Sequence, residues 1–273
     1  MEKQSNVQLA SHSCVLGDLL EPFSLEGLSR GLDLQAGWAR RWTVGLRLEH
    51  GVVESAVANL GSAPLDRANP WRRFTWRAGQ RHRPGLEFSV STGKHHGFES
   101  LEEQKLLLAL DFLGGLVSIR SQPLRLRFGH QGGRGEHVPD YLATFRDGSR
   151  WLFDVRPRAL VADEDALRFA AAAEVALACG WPYTVVTQWR RGVTGTIDTF
   201  SAQRRPLEDR LSLESELLLG AAEPGVTFGQ LVSGTAVPAM ARAHALHLLW
   251  HRELGTDLAL PFGDNSPVWG RHR

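Results

Sequence analysis

Lysine is nearly missing from this chain of 273 residues. It occurs only at Lys3, Lys94 and Lys105, so 28 of the 31 basic residues are arginine. Codon bias in a GC-rich genome produces such a preference, and so does phosphate recognition, for which the planar guanidinium fork is suited. Cysteine is scarce too. Cys14 and Cys179 stand 165 positions apart, which excludes a disulfide framework and a zinc-type spacing. No run of about 18 apolar residues occurs, so a membrane-spanning helix is excluded. The opening MEKQSNVQLASHSC carries Glu2 and Lys3 and no apolar centre, so no signal peptide is expected and the protein is expected in the cytoplasm. No G-x-S-x-G turn and no local cysteine-nucleophile signature occurs, which leaves no sign of covalent catalysis.

What is present is an ordinary globular composition, 42% hydrophobic and 22% charged, long enough for one large domain or two modest ones. The net charge of +1 argues against a uniformly basic nucleic-acid binder, but it averages unlike segments. Between Arg67 and Lys94, Arg67, Arg72, Arg73, Arg77, Arg81, Arg83 and Lys94 face the single acid Glu87. Trp71, Phe74, Trp76 and Phe88 are interleaved with them. Basic groups among aromatics suit the phosphates and bases of DNA, with Arg72, Arg73, Arg77, Arg81, Arg83 and Lys94 as the candidate contacts. A solvated basic loop that tucks its aromatics into the core has the same composition. Residues 120–158 hold eight arginines against Glu136, Asp140, Asp147 and Asp154.

Periodicity divides the chain into an N-terminal segment (1–64), a central α/β domain (65–206) and a mainly helical C-terminal domain (207–273). The alternation in Arg41–Glu49 and Gly51–Leu60 about His50-Gly51 predicts a β-hairpin, and the first 35 residues are expected to be loosely ordered. Glu99–Phe112 reads as a helix opened by acids and ended at Gly114-Gly115. Strands are expected at Leu116–Arg120, Leu124–Phe128, Val138–Phe145 and Ser149–Val155, and GHQGGRG (129–135) as a hairpin loop without the Lys-Ser/Thr of a phosphate loop. A helix over Asp163–Cys179 and a buried strand at Tyr183–Thr187 complete a mixed α/β sheet. Leu207–Leu219, Thr227–Val232 and Pro238–Leu254 read as helices, compatible with a winged-helix arrangement. His244, His247 and His251 share a helix face there, but no carboxylate takes an HExxH position, and they read as surface or core residues rather than ligands.

One constellation carries chemistry. Pro139-Asp140 opens a strand, and Asp154-Val155-Arg156 ends the next one, fourteen residues on. Glu99 and Glu103 lie four apart on one helix face upstream. Asp-x-Arg at i, i+2 puts both side chains on one sheet face. Acids at adjacent strand ends with a cation beside them can hold Mg²⁺ and activate a water against phosphate. Turn and strand-end acids paired with surface arginines would read the same way. The short pattern is that of the PD-(D/E)xK nucleases, with arginine in place of the final lysine.

The longer stretches are more specific. Trp71–Phe112, SQPLRLRF (121–128), HVPDY (137–141), FDVRP (153–157), GWPYTVVT (180–187) and HLLWHRELGTDLALPF (247–262) together resemble the TnsA-like endonuclease subunits of heteromeric transposases of actinobacterial type. The resemblance implies a restriction-endonuclease-like core of mixed β-sheet flanked by helices. It implies that Asp140, Asp154 and Glu103 bind Mg²⁺ or Mn²⁺, with Glu99 and Glu102 as alternatives for the helix acid. Gln122 and His137 match positions near such sites, where each is either functional or structural. Arg156 departs from the lysine. It keeps a charge for stabilising the phosphate but gives up no proton, so it serves poorly as a base. The implied activity is cleavage of the 5′ strands of double-stranded DNA at transposon ends. The implied partners are a DDE-type transposase subunit and an AAA+ ATPase regulator, with no membrane association. Two alternatives stay open: a non-catalytic DNA-binding scaffold, and a stand-alone repair or restriction nuclease.

Overall fold

The computed structural model describes residues 8–72 and 84–271. In chain order these form the one-turn helices α1 (Leu16–Leu19) and α2 (Trp38–Arg41), then the hairpins β1 (Thr43–Leu48)–β2 (Gly51–Ala56) and β3 (Gly85–Ser89)–β4 (Lys94–Phe98). Helix α3 (Leu101–Leu113) leads to β5 (Leu116–Ser121), β6 (Arg125–His130), β7 (Gly133–His137), β8 (Tyr141–Phe145) and β9 (Arg150–Val155). There follow α4 (Asp163–Ala178), β10 (Tyr183–Val186), α5 (Val193–Ser201), α6 (Leu213–Gly220), α7 (Phe228–Ser233) and α8 (Pro238–Trp250). The two-residue strands β11 (Leu254–Gly255) and β12 (Trp269–Gly270) pair near the end.

The residues divide into two compact units. The α/β unit comprises Pro22–Leu107 and Gly115–Gln188. Its first sheet is antiparallel in the order β2-β1-β6-β7, and its second is mixed in the order β10-β9-β8-β5, with only β9 and β10 parallel. Helix α4 is the crossover between those two strands. Three acids, Asp163, Glu164 and Asp165, open it, as the helix dipole favours. Its buried face is Ala170, Ala171, Ala172, Val175 and Ala176, and such small side chains let a helix lie close on a sheet. The core beneath joins Trp42, Val44, Leu46, Leu126 and Phe128 of the first sheet to Leu142 and Leu152 of the second. Each fully buried large apolar side chain contributes roughly 1.5–3 kcal/mol. This mixed α/β arrangement with flanking helices is compatible with a restriction-endonuclease-like core.

The second unit comprises the residues up to Glu21, Leu108–Gly114 and those from Trp189 onward. Its core packs Phe112, Ile197, Phe200, Leu217, Phe228, Leu248, Leu249 and Trp250 with Leu9, Cys14 and Leu19. The first 35 residues are therefore not loosely ordered over their described part: Leu9, Leu16, Leu19, Leu20 and Leu32 are all buried. Their apolar residues are too few for a periodic pattern but enough to fill sites on other elements.

Helix α3 ends where expected, because Gly114 and Gly115 adopt φ of 78° and 71°, a region costly for other residues. Several elements differ from the sequence reading, among them the β3–β4 hairpin, which has no counterpart in it. The predicted 207–219 helix starts only at Leu213, since the Asp209 carboxylate accepts from the amides of Leu213 (2.8 Å) and Glu214 (3.0 Å) and caps it there. Strand β7 falls where the sequence predicts a loop, because GRGEH has no apolar alternation. Helix α5, in RRGVTGTIDTFS, was not read as an element. No helix among the described residues is long and apolar enough to cross a membrane.

Candidate active site

The site lies in the α/β unit, where the start of α3, the β5–β6 connection, the strand ends of β8 and β9, and β10 meet. Ser100-Leu101-Glu102-Glu103 builds the helix start. The Glu103 amide donates to Ser100 Oγ (3.2 Å), and the Glu103 carboxylate accepts from Ser100 Oγ (2.9 Å) and the Glu99 amide (2.9 Å). This is a capping arrangement, and it holds the Glu103 carboxylate in one position. Tyr141 Oη, at the first residue of β8, hydrogen-bonds both Gly97 O (2.9 Å) and Glu103 Oε2 (3.2 Å). Glu103 is buried, and burial raises its pKa despite the bonds from Glu99 and Ser100.

Asp140 precedes β8. Its amide donates to Phe153 O (3.0 Å), and its Oδ2 accepts from the Val155 amide (2.7 Å), so the β8–β9 ladder fixes its direction. Burial, then the charges of Asp154 and Glu103, hold its pKa well above the ordinary carboxylate range. The Val155 bond and the charge of Arg72 oppose this. Asp154 is the exception in the apolar run of the central strand β9 and is 1% exposed. Its carboxylate is satisfied by His137 Nε2 at 2.9 and 3.0 Å and by Tyr183 Oη, which donates to Oδ2 at 2.6 Å. His137, at the end of β7, packs edge-on against Phe169 of α4. Burial, and then the Asp154 charge, pushes the Tyr183 phenol well above its usual value.

Gln122 has a positive φ of 49° and is buried. Such a backbone costs on the order of 1 kcal/mol or more and persists only where the surroundings hold it. Its amide donates to Asp140 O (2.7 Å), and its Oε1 accepts from the Arg72 amide (2.7 Å). Arg72 Nη1 in turn pairs with Glu99 Oε2 (3.1 Å). Arg156 stands just past β9, with Nε on Leu160 O (3.2 Å) and Asp165 Oδ2 (3.3 Å).

Two cavities flank this cluster. One of about 550 Å³ is lined by Arg72, Glu99, Glu103, Asp140, Arg156 and Leu160, among others. The other, of about 320 Å³, is lined by Arg72, His137, Asp140, Asp154, Arg156 and Asp165, among others. Asp140, Arg72 and Arg156 belong to both. A larger cavity of about 610 Å³ has Asp33, Arg41, Glu54, Arg127 and Glu136 on its walls, and these charges pair with one another.

Asp140 thus shares one cavity with Glu103 and the other with Asp154, Arg156 lines both and His137 one of them, and Gln122 bonds the Asp140 backbone. Lys94 lies on β4 and lines a separate cavity with Arg120. Arg73, Arg77, Arg81 and Arg83 lie outside the described residues. The sequence reading did not identify Tyr141 and Tyr183 as site residues. The available signal was their rarity: they are the two tyrosines of the chain, and both stand in the HVPDY and GWPYTVVT stretches.

The donor set suits a hard divalent cation. It is all carboxylate oxygen, and a cation would offset both the burial of Asp140 and the neighbouring charges of Asp154 and Glu103 that hold its pKa up. Three ligand atoms within 4.8 Å of one another occur, among the described residues, only at Asp209, Glu214 and His244 in the helical unit. There His244 Nδ1 faces Glu214 Oε1 at 3.1 Å, His247 Nδ1 meets Gln203 O at 2.7 Å, and the His247 and His251 rings lie 4.3 Å apart.

No curated protein matches the chain. Residues 116–188, from β5 to β10, match the family model of the TnsA-like endonuclease N terminal. The match includes Gln122, Asp140, Asp154 and Arg156 and begins after Glu103. That segment is similar to the N-terminal domain of TnsA-like endonucleases, a likeness that points to a nuclease acting in transposition.

Proposed function

We propose that the protein is a divalent-metal-dependent DNA endonuclease that cuts the 5′ strands at transposon ends, as a subunit of a heteromeric transposase. The observation that carries this reading is the convergence of Glu103, Asp140 and Asp154 on one pair of cavities. Mg²⁺ or Mn²⁺ held by these carboxylates would polarise the phosphate and lower the pKa of an attacking water. The chain's own residues prepare for this. The Val155 amide aims Asp140, His137 and Tyr183 hold Asp154, and Ser100 and Tyr141 hold Glu103. Arginines on the cavity walls meet the phosphate charge. The 5′-strand choice, the DDE-type transposase partner and the AAA+ regulator follow from the family resemblance.

Asp154→Asn and Asp140→Asn should each abolish metal-dependent nicking of double-stranded DNA bearing the transposon ends, with the melting transition retained. Nicking by either variant at the wild-type rate overturns the assignment. One observation favours a second reading, a non-catalytic scaffold: Arg156 Nε is engaged by Asp165 and Leu160 O. Nicking that appears only in Arg156→Lys would establish it.

A further inference from the structure

The lysine of the PD-(D/E)xK pattern is absent, and Arg156, which replaces it, turns its Nε toward Asp165 at the start of α4. A second cation shares the site's two cavities with the acids. Arg72 lines both cavities around Asp140, and its Nη1 lies 3.1 Å from Glu99, four residues before Glu103. Its side chain is 56% exposed, so an incoming phosphate can reach it. Its backbone is not left to chance. Gln122 Oε1 receives the Arg72 amide at 2.7 Å, while the Gln122 amide donates to Asp140 O at 2.7 Å. One strained residue therefore ties the Arg72 backbone to the Asp140 backbone, and this gives the positive φ of Gln122 a reason.

We infer that Arg72, rather than Arg156, is the catalytic cation that contacts the scissile phosphate, and that Gln122 is the positioning residue that holds it beside Asp140. The inference rests on the nuclease reading above. Charge developing on the phosphate would be met by the Arg72 guanidinium, which exchanges Glu99 for a phosphate oxygen when DNA binds. Arg156 then braces the turn after β9 against α4.

Single-turnover nicking by the full chain with Mn²⁺, alongside DNA binding, tests this. Arg72→Ala should slow nicking roughly 100-fold, the scale of losing one preorganised donor to a developing charge, with DNA affinity changed less than about threefold. Arg72→Lys should recover part of that loss, and Arg156→Ala should cost less than about tenfold. Gln122→Ala should slow nicking toward the Arg72→Ala rate, and the double variant should be no slower than Arg72→Ala alone, the non-additivity expected of residues acting as a unit. A purely structural Gln122 would give additive losses, which overturns its positioning role. Arg72→Ala nicking within about threefold of wild type, or Arg156→Ala taking the hundredfold loss instead, overturns the inference while Asp140→Asn remains inactive. Nicking by Asp140→Asn at the wild-type rate, or a wild-type protein that does not nick, overturns the underlying reading and the inference with it.

Discussion

The two tyrosines offer a direct probe of the site, because both hydroxyls belong to it and no other phenol in the chain contributes signal. An ordinary phenol is half-ionised at about pH 10. Burial is the largest influence on each, with the Glu103 charge next for Tyr141 and the Asp154 charge next for Tyr183. Both are held well above that value. The folded protein thus keeps two protons that the unfolded chain releases. Stability from this source is complete below the ordinary tyrosine pKa and is lost as pH rises through the raised values. With two protons in difference, the loss approaches about 2.7 kcal/mol per pH unit once the unfolded chain is ionised. Titrating upward while following phenolate absorbance and circular dichroism together should show no phenolate in the folded protein near about pH 10, then two appearing at once with unfolding. In strong denaturant both should titrate at the ordinary value. Tyr183→Phe and Tyr141→Phe should each remove one proton from the cooperative step. A single phenolate that forms reversibly near about pH 10 while the dichroism stays native would refute the placement of that hydroxyl against its carboxylate.

Three further outcomes follow from the same geometry. Asp140→Asn should raise the melting temperature of the metal-free protein at about pH 8 but not near about pH 4. The raised Asp140 makes its contribution below the ordinary carboxylate range and loses it as pH climbs, while asparagine can still accept from Val155. Mg²⁺ should stabilise wild type and not this variant, and equal metal shifts would contradict the ligand assignment. Glu103→Gln should keep the start of α3, since glutamine also caps this way, so its melting shift should stay within about 1 kcal/mol while nicking is lost. A variant that unfolds would make Glu103 purely structural. Gly135→Ala drives a Cβ into the buried Phe128 ring, so it should cost about 1–3 kcal/mol in chemical denaturation. An unchanged midpoint would argue against the β6–β7 packing.

Local pattern alone made much of this protein legible. The alternation of β1 and β2, the acid-opened α3 and α4 with glycine beyond their ends, and the β-branched run of β10 depend on neighbours a few residues away, where propensity and periodicity act. Pro139-Asp140 and Asp154-Val155-Arg156 were legible for the same reason, as acids at the ends of consecutive strands. Strand β7 was not, because its glycines carry no pattern until β6 supplies the partner. The capping of α6 by Asp209 depends on a side chain that a helix pattern does not weigh. The site's finer chemistry is non-local. Asp154 meets His137 across 17 positions, Glu103 meets Tyr141 across 38, and Gln122 meets the Arg72 amide across 50. Which of 28 arginines faces the acids is settled the same way, by where the chain returns and not by composition. Sequence by itself determined the elements with a local pattern and singled out Glu103, Asp140 and Asp154 as candidates. The tertiary structure decided which groups restrain them, because hydrogen bonds and charges act over a few ångströms of space whatever their distance along the chain.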